Sequence, residues 1–489
     1  MAETDGSVDR RRFLEQTATA GSAMVLAAES YARVVGANNQ IRVGFLGCGG
    51  RAQAHINAVL KLKKLGLSPV AVCDVWDGLE DTYYQESPPG QRTRRNFAQG
   101  LYPSARKCGL NPKDTAKVTK EYRRIVDRKD VDLVVIATPD HWHARMALDA
   151  MAAGKDMLIE RPMARTATEA FQIVDAAHLY QRIVAVGVQS MADPGWEIAR
   201  NWISQHAIGP MVHLQTGMFH NDIRGEWRYY RIAKEMTSKT VDWQRFLGPT
   251  VEGNSEKNLP FNRATFAQWR CNRQFSGGPL TEWLVPKITP LLSLGKLTVP
   301  RRVMTSGGLF WQHDGRTVPD LVTVCADFEE GYQLQFTATT ISSYPTEEVV
   351  RGRLGTVKFT KGNVQLFEDN PLRGNKLPNR LEQPISPTRS QMYQPNDNDS
   401  LSMWENFIDC IRSRNSATLC PPELGAVAVT IAHMAERSYR TGMPVFWDSE
   451  HRQLAGGDNS WAERWDIASK QHQRGAGLMP PDYQSLAED

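Results

Sequence analysis

Small residues at fixed spacing follow an apolar run near the start of the chain. Ile41–Leu46 reads as a short buried strand, and a helical pattern of apolar residues begins at Ala54. Between them lie Gly47, Cys48, Gly49, Gly50, Arg51 and Ala52. In such a turn the first glycine permits the sharp reversal, the second lets the backbone approach a pyrophosphate, and Ala52 lets the helix pack closely on the strand. The pattern predicts a dinucleotide held on the N–H groups of the helix start, beside Gly50 and Arg51.

An acidic residue at the end of the next apolar run selects between two forms of that ligand. The run 69–73 is followed by Asp74, about 20 residues after Ala52, where an acid binds the ribose hydroxyls. A carboxylate there repels the 2′-phosphate of NADP, so we expect NAD, with Arg51 as the residue that softens the preference. A nucleotide-free domain with a glycine-rich turn is the alternative.

Strands and helices alternate after this point. Apolar runs at 131–137, Asp156–Glu160 and 183–187 are separated by helical patterns at 144–153 and 166–180. This alternation indicates a parallel, doubly wound sheet, whose ligands bind at the carboxyl ends of its strands. The polar residues at those ends are Thr138, His141, His143, Glu160 and Gln189. We expect all of them except His141 to contact the cofactor.

Several motifs together resemble the glucose-fructose oxidoreductase / inositol 2-dehydrogenase (Gfo/Idh/MocA) family, over about residues 41–448. They are Gly-Cys-Gly-Gly-Arg (47–51), Ala-Thr-Pro-Asp-His-Trp-His (137–143), Glu-Arg-Pro (160–162), Gly-Val-Gln (187–189), Ser-Gly-Gly (276–278), Asn-Phe (406–407) and Gly-Met-Pro-Val-Phe-Trp-Asp (442–448). The resemblance implies an α/β fold, with an N-terminal Rossmann domain and a C-terminal domain around an open, mostly antiparallel sheet. It also implies hydride exchange between a nicotinamide and a carbon of a sugar, sugar derivative or polyol, in a homo-oligomer.

The proton-handling residues of that family are replaced in this chain. The resemblance assigns catalysis to a Lys in a Glu-Lys-Pro motif and to an Asp and a His four residues apart. Here Arg161 stands at the Lys position, Glu282 at the Asp position and Pro286 at the His position. Arginine does not lose its proton in proteins, so Arg161 cannot be a base, although it can hold an alkoxide. Pro286 and Pro290 also predict a break in the helix that follows Glu282.

Two residues are candidates to replace the missing base. Lys287 lies in the altered motif, and His220 follows the predicted strand Met211–Phe219. An exposed loop lysine and a structural histidine are the respective alternatives. For an elimination, Tyr229 or Tyr230 is a further candidate base.

The residues favour an NAD-dependent oxidoreductase that acts on a small carbohydrate. Two alternatives stay open. One is a catalytically silent relative that keeps the dinucleotide as a structural element and binds carbohydrate or a partner protein. The other is NAD-assisted glycoside cleavage, by transient oxidation of the substrate and elimination. We expect no metal, because the seven cysteines form no Cys-x-x-Cys pair, and a Cys410–Cys420 disulfide is left open.

The chain divides into four predicted parts. Arginines 10–12, Phe13-Leu14 and an uncharged run at 17–28 make residues 1–37 similar to a twin-arginine export signal, which predicts a periplasmic protein. If these arginines occur by chance, the protein is cytoplasmic. Residues 38–190 are the Rossmann domain, and 191–448 are the substrate and oligomerisation domain. Residues 449–489 form a polar tail, in which Trp461 and Trp465 are spaced to anchor it.

The second domain is predicted from half-alternating strands. These strands are Met211–Phe219, 302–310, Leu321–Phe328, 333–340 and 356–360. A polar insertion at 76–120 is expected to be functional or disordered. The net charge of +4, from 58 basic and 54 acidic residues, gives no basic footprint for nucleic acid. No apolar run reaches the ~20 residues that span a bilayer, so we expect no membrane span.

Overall fold

The computed structural model describes residues 40–87, 90–248, 259–295, 298–369, 386–395 and 399–456. The predicted export signal and the anchoring pair Trp461 and Trp465 lie outside these ranges. Within them, no helix is both long and apolar enough to cross a membrane.

The described strands form two sheets and one hairpin. They are β1 (Ile41–Leu46), β2 (Leu67–Cys73), β3 (Leu79–Ser87), β4 (Gln91–Gln99), β5 (Val118–Thr119), β6 (Leu133–Ile136), β7 (Asp156–Glu160), β8 (Val184–Gly187), β9 (Met211–Phe219), β10 (Arg302–Gly308), β11 (Leu321–Phe328), β12 (Tyr332–Thr339), β13 (Glu348–Gly352), β14 (Gly355–Thr360), β15 (Asn363–Glu368), β16 (Arg389–Met392), β17 (Val445–Asp448) and β18 (Gln453–Ala455).

The described residues also form α-helices, several of which pack on these sheets. They are α1 (Gly50–Lys61), α2 (Leu101–Lys107), α3 (Arg123–Val126), α4 (Asp140–Ala152), α5 (Ala167–Leu179), α6 (Gly195–Ser204), α7 (Trp243–Leu247), α8 (Arg263–Ala267), α9 (Leu284–Leu292), α10 (Asp399–Ser413) and α11 (Pro422–Thr441).

The first sheet is the predicted doubly wound sheet. Its order is β5-β2-β1-β6-β7-β8, and every neighbouring pair is parallel. Strands β6, β7 and β8 are buried along their whole length, as expected of parallel strands with helices on both faces. The strand order reverses between β1 and β6, which opens a crevice at their carboxyl ends. The predicted N-terminal Rossmann sheet is confirmed.

Local sequence explains where the helices of this domain begin and how they pack. Helix α1 starts directly after Gly49 and buries Ala52, Ile56 and Val59, a spacing of one helical face. Helix α5 starts with a capping box, in which the Thr166 hydroxyl accepts the Glu169 N–H and the Glu169 carboxylate accepts the Thr166 N–H.

The second sheet has the predicted open, mostly antiparallel character. Its order is β16-β15-β14-β13-β9-β12-β11-β10-β17-β18, and only the pair β9 and β12 is parallel. Burial alternates along β11 and β12, because one face of the sheet packs against helices α9 and α11. The predicted α/β class is confirmed.

Two helices near the end of the described chain return to the first domain. Helix α10 places Trp404, Phe407 and Ile411 in the core that also holds Phe45 of β1 and Ile56 of α1. Helix α11 packs on α5, and the Val186 N–H of β8 donates to the Cys420 carbonyl at 2.9 Å. The first sheet is therefore completed by residues from beyond position 399.

The insertion at 76–120 contains the antiparallel hairpin of β3 and β4 and helix α2, so the disordered alternative is wrong for its described part, and the functional alternative stays open. The predicted helix break is also wrong. The segment after Glu282 is not broken by its prolines, because a π-helical turn at Pro279–Trp283 leads directly into α9. All seven cysteines lie in described ranges and none forms a disulfide, so Cys410 and Cys420 are free thiols.

Candidate active site

A cavity of about 550 Å³ lies at the carboxyl ends of β1, β2, β6 and β7. One wall comes from the first domain and includes the glycine turn, Asp74, Thr138, His143, Glu160 and Arg161. The other wall comes from α7 and from the chain between α7 and α9, and it includes Phe246, Phe266, Trp269, Arg270 and Glu282. This is the crevice where doubly wound sheets bind their ligands.

The glycine turn has the geometry that the sequence predicts. Gly47 has a φ of +85°, its N–H donates to the Cys73 carbonyl, and a Cβ there would lie 2.7 Å from the Ala137 carbonyl oxygen. Gly49 is different, since a Cβ on it would meet nothing within 4 Å. The turn therefore leaves open space in front of the first N–H groups of α1, as a close-lying pyrophosphate requires.

Asp74 stabilises this turn through hydrogen bonds to backbone N–H groups. Its Oδ2 accepts the Cys48 N–H at 2.6 Å, and its Oδ1 accepts the Trp76 N–H at 2.8 Å. Burial raises the pKa of Asp74 to about 6, against the lowering effect of these two N–H groups. The side chain is half-buried and lines the cavity, so it can still accept from a ribose hydroxyl.

Glu160 is the centre of a buried hydrogen-bond network. Its Oε1 accepts from Arg51 Nε at 2.6 Å, from His55 Nε2 at 2.7 Å and from Gln189 Nε2 at 3.0 Å. Burial alone would raise the pKa of Glu160, but the charge of Arg51 and the His55 hydrogen bond hold that pKa well below its usual range. A Cβ on Gly187 would lie 2.8 Å from the same oxygen, so that glycine makes room for the carboxylate.

One buried nitrogen of the Arg51 guanidinium has no hydrogen-bond partner in the protein. This nitrogen is Nη2, while Nε is fixed on Glu160. The side chain lines the cavity next to the glycine turn. A buried guanidinium nitrogen without a partner is costly unless a ligand meets it, and a phosphate oxygen is the ligand that suits it. The open face of Gly49 and this nitrogen both fit a dinucleotide.

The other predicted cofactor residues occupy three kinds of position. Thr138 and His143 line the cavity, and the His143 ring lies between the carbonyl oxygens of Pro162 at 2.7 Å and Thr138 at 2.8 Å. Gln189 lies behind Glu160 and supports it, and Ala52 is fully buried under the turn. Helix α4 begins at Asp140, so His141 and His143 lie on its first turn and not on a strand end.

The other wall carries an acidic residue between two arginines. Glu282 is buried, and its Oε2 accepts from Arg270 Nε at 2.8 Å and lies 3.7 Å from Arg161 Nη1. The Arg270 guanidinium stacks on the Trp269 ring, 4.2 Å from its centroid. Arg161 Nη1 also donates to the backbone carbonyl of Glu282 at 3.2 Å. Two fixed cations, one from each wall, therefore meet a carboxylate in the cavity that the glycine turn also lines.

A family comparison matches the first of these walls. Residues 41–188 match the sequence model of the oxidoreductase family with an NAD-binding Rossmann fold, Gfo/Idh/MocA. The N-terminal domain belongs to the Gfo/Idh/MocA family. The predicted cofactor NAD is confirmed at this level, and the glycine turn, Asp74 and Arg51 are the residues of the family domain that would hold it.

Two curated relatives each align with less than half of the chain. The chain is 28% identical over 216 residues to an alpha-N-acetylgalactosaminidase of Shewanella oneidensis, covering 44% of this chain and 41% of that protein. It is 29% identical over 221 residues to a glycosyl hydrolase family 109 protein of Shewanella pealeana, covering 45% and 43%. The alignments thus span about two-fifths of these relatives' own length.

Solved structures share the fold over most of the chain. A levoglucosan dehydrogenase in complex with NADH and levoglucosan has a TM-score of 0.55 at 17% identity, covering 85% of this chain and 99% of that one. The WlbA dehydrogenase of Bordetella pertussis, in complex with NADH and UDP-GlcNAcA, has a TM-score of 0.55 at 16% identity, covering 84% and 99%. At this identity the likeness establishes the two-domain fold.

The candidate replacement bases Lys287 and His220 lie away from the cavity. Lys287 Nζ is 3.4 Å from Glu348 Oε2, and the His220 ring pairs with Glu226, and neither residue lines the cavity. Tyr229 also donates to Glu226, at 2.7 Å, whereas Tyr230 lines the cavity. The structure thus brings together Arg161 and Glu282 of the four predicted catalytic residues.

Sequence reasoning missed three groups of the cavity. Asp140 stands inside a quoted motif, but nothing in its spacing distinguishes it from a helix-capping acid. Trp269 and Arg270 come from a segment without regular hydrophobic periodicity, so no pattern placed them near Glu282. Gln99 and Gly100 come from the predicted insertion, whose hairpin base lines the cavity beside Gly50.

Proposed function

We propose that this chain is an NAD-dependent oxidoreductase that oxidises a CH–OH group of a sugar, sugar derivative or polyol. One observation carries the proposal, which is that a single cavity joins the glycine turn to the cluster of Arg161, Arg270 and Glu282. A bound NAD would supply the acceptor for the hydride of the carbinol carbon. The remaining tasks fall to this chain's own side chains.

Those tasks are to orient the substrate and to stabilise its charge. Arg161 and Arg270 stay protonated, so they can hold a hydroxyl and the oxyanion that develops on it. Glu282 fixes Arg270 through its Oε2 and offsets one of the two positive charges of the cluster. Trp269 and Phe266 line the cavity and supply aromatic side chains against which the apolar C–H groups of a sugar ring can pack. The sugar dehydrogenases among the structural neighbours support this substrate class.

Glycoside cleavage is a second candidate. It is favoured by the names of the curated relatives, which are glycosidases. In this scheme the substrate carbon is oxidised transiently, the adjacent C–H loses its proton, the glycosidic oxygen leaves, water adds, and the carbon is reduced again. There is no net redox change. Tyr230 lines the cavity and is the one of the two predicted tyrosines positioned to take part.

The test begins with the cofactor and then separates the reactions. Protein purified in the folded state is denatured and its supernatant assayed for NAD, and the refilled protein is offered sugars and polyols while NADH absorbance is followed. Nitrophenyl glycosides are offered in parallel, and released nitrophenol is measured. NADH formation supports the dehydrogenase, and nitrophenol release without NADH supports cleavage. Bound NAD with neither product would favour the silent alternative, and failure to bind NAD would sink the proposal.

Two matched variants distinguish a loss of NAD binding from a loss of catalytic turnover. Glu282→Gln removes the charge that holds Arg270 and should lower turnover at least tenfold while NAD binding is kept. Glu348→Gln makes the same change beside Lys287, outside the cavity, and should leave turnover within twofold of wild type. Equal losses in both variants would contradict the assignment of the cavity.

Two further predictions remain proposals. We propose export to the periplasm, supported by the paired arginines at 10–12, and cell fractionation with and without substitution of those arginines to lysine would test it. We also propose a homo-oligomer, since alternate residues along most of β11 and β12 are only partly buried among the described residues, and sedimentation would measure its size.

A further inference from the structure

Asp140 is a buried carboxyl group in the wall of the cavity with an unused oxygen. The residue is 2% exposed, and its Oδ2 has no hydrogen-bond partner. Asp140 is the first residue of α4, directly after Pro139. It lines the same cavity as Arg161, Arg270 and Glu282. A buried carboxyl oxygen without a partner is unfavourable for folding, so its position calls for a role.

The surroundings of Asp140 keep both of its protonation states accessible. Burial and the nearby carboxylate of Glu282 favour the protonated form, and together they raise the pKa of Asp140 to about 8. The charges of Arg161, Arg165 and Arg270 favour the ionised form. The N-terminal end of a helix of 13 residues acts in the same direction. Its neighbours on the same turn do not compete for the proton, because burial lowers the pKa of both His141 and His143.

We propose that Asp140 is the proton acceptor of this cavity, taking the proton from a substrate hydroxyl held by Arg161 and Arg270. The inference rests on the proposed oxidoreductase function and replaces the missing base of that reaction. As the carbinol C–H bond breaks, the hydride goes to NAD and the O–H electrons form the carbonyl. The released proton then bonds to Asp140 Oδ2, the oxygen that has no partner in the free protein. Reduction of the carbonyl runs the same step backwards.

The proposal fixes the pH dependence of the reaction. A base must be ionised to accept a proton, so kcat/KM for oxidation should rise with pH and level off above about pH 8, the pKa of Asp140. Asp140→Asn keeps the shape of the side chain but cannot accept the proton. We expect kcat to fall about 100-fold or more with little change in KM, in line with loss of a general base, and the rise with pH to disappear. Asp175→Asn makes the same change at an exposed position of α5 and should keep the wild-type dependence of kcat/KM on pH.

A second measurement needs no turnover. The carbonyl stretch of a protonated carboxylic acid is visible by infrared spectroscopy, and the wild-type minus Asp140→Asn difference should show one such band that disappears around pH 8. The same band should appear in the difference between the Asp175→Asn and Asp140→Asn spectra. If Asp140→Asn does not fold, the titration is followed in wild-type protein labelled with 13C-aspartate, where the isotope shift identifies the band.

The outcomes separate this proposal from the function on which it rests. Titration of the Asp140 carboxyl below pH 5, or a variant whose kcat stays within threefold of wild type, overturns the assignment of Asp140. If wild-type protein oxidises no sugar while the band still titrates near pH 8, the oxidoreductase function fails and the proton-exchanging carboxyl stands.

Discussion

Gly47 and Gly49 lie two residues apart in one turn, yet a methyl group would meet different surroundings at each. At Gly47 it would collide with the Ala137 backbone, in a conformation that favours glycine, whereas at Gly49 it would enter open space. Gly47 is thus required by the fold of the protein itself. Gly49 is required only by something that comes close to it.

This difference makes the two glycines a matched pair of variants. Gly49→Ala should leave the free energy of unfolding within about 1 kcal/mol of wild type and weaken NAD binding tenfold or more, because the methyl group occupies the pyrophosphate position. Gly47→Ala should lower stability by about 2–4 kcal/mol, because strain and a backbone collision are added. Chemical denaturation and calorimetric titration with NAD measure both quantities. Unchanged NAD affinity in Gly49→Ala would contradict the placement of the cofactor.

The sequence predicts the position of an individual site residue when that residue acts together with its neighbours along the chain. Gly47, Gly49 and Asp74 act within one strand-turn-helix unit, and their spacing predicted their positions. Asp140 and Arg270 acquire their environment from segments more than 100 residues apart, so no local pattern could predict that they share a cavity with Glu282. Lys287 illustrates the converse, since this residue of α9 pairs with Glu348 of strand β13, outside the cavity.

The segment that carries Glu282 stays helical because side chains of the first domain donate to the carbonyl oxygens that its two prolines leave without a backbone donor. Pro286 has no N–H for the carbonyl four residues earlier, which is that of Glu282, and this carbonyl accepts from Arg161 Nη1. Pro290 likewise cannot bond the carbonyl of Pro286, which accepts the Ser190 hydroxyl at 3.4 Å. The predicted helix break failed because propensity rules count the lost backbone donor and cannot see the side-chain donor that replaces it.

Arg161 and Pro286 should therefore be energetically coupled. Arg161→Ala should lower the free energy of unfolding by about 1–3 kcal/mol in wild type, because a buried carbonyl loses its donor. In a Pro286→Ala background the restored backbone N–H can bond that carbonyl, and the loss should shrink by about 0.5 kcal/mol or more. A double-mutant cycle from urea denaturation measures this coupling. Additive effects would show that the arginine does not serve the proline-freed carbonyl.

A series of hydrogen bonds connects helix α10, near the end of the described chain, to the cavity. The Trp404 indole N–H donates to His55 Nδ1 at 3.1 Å, which leaves the His55 proton on Nε2, where it bonds Glu160. Helix α10 thus reaches the cavity wall through one buried histidine. The sequence predicted both domains, but the return of α10 depends on apolar surface that only the assembled sheet presents.

Trp404→Phe tests this long-range connection. The variant should lower the free energy of unfolding by about 1–3 kcal/mol, since the buried His55 nitrogen loses its donor, and it should also weaken NAD binding by loosening Glu160. Phe407→Leu removes packing from the same helix and should lower stability while NAD affinity stays unchanged. If both variants keep wild-type NAD affinity, α10 contributes packing alone.

The return of α10 and α11 also governs the order in which the protein can be completed during translation. A ribosome releases β1 and α1 early, but Trp404, Phe407 and Ile411, which share their core, follow only after residue 399. Until α10 emerges, part of the apolar surface around Phe45 and Ile56 stays uncovered, and chaperones bind such surfaces. Ribosome-bound chains stalled before α10 should hold such a chaperone, and chains extended past α11 should release it.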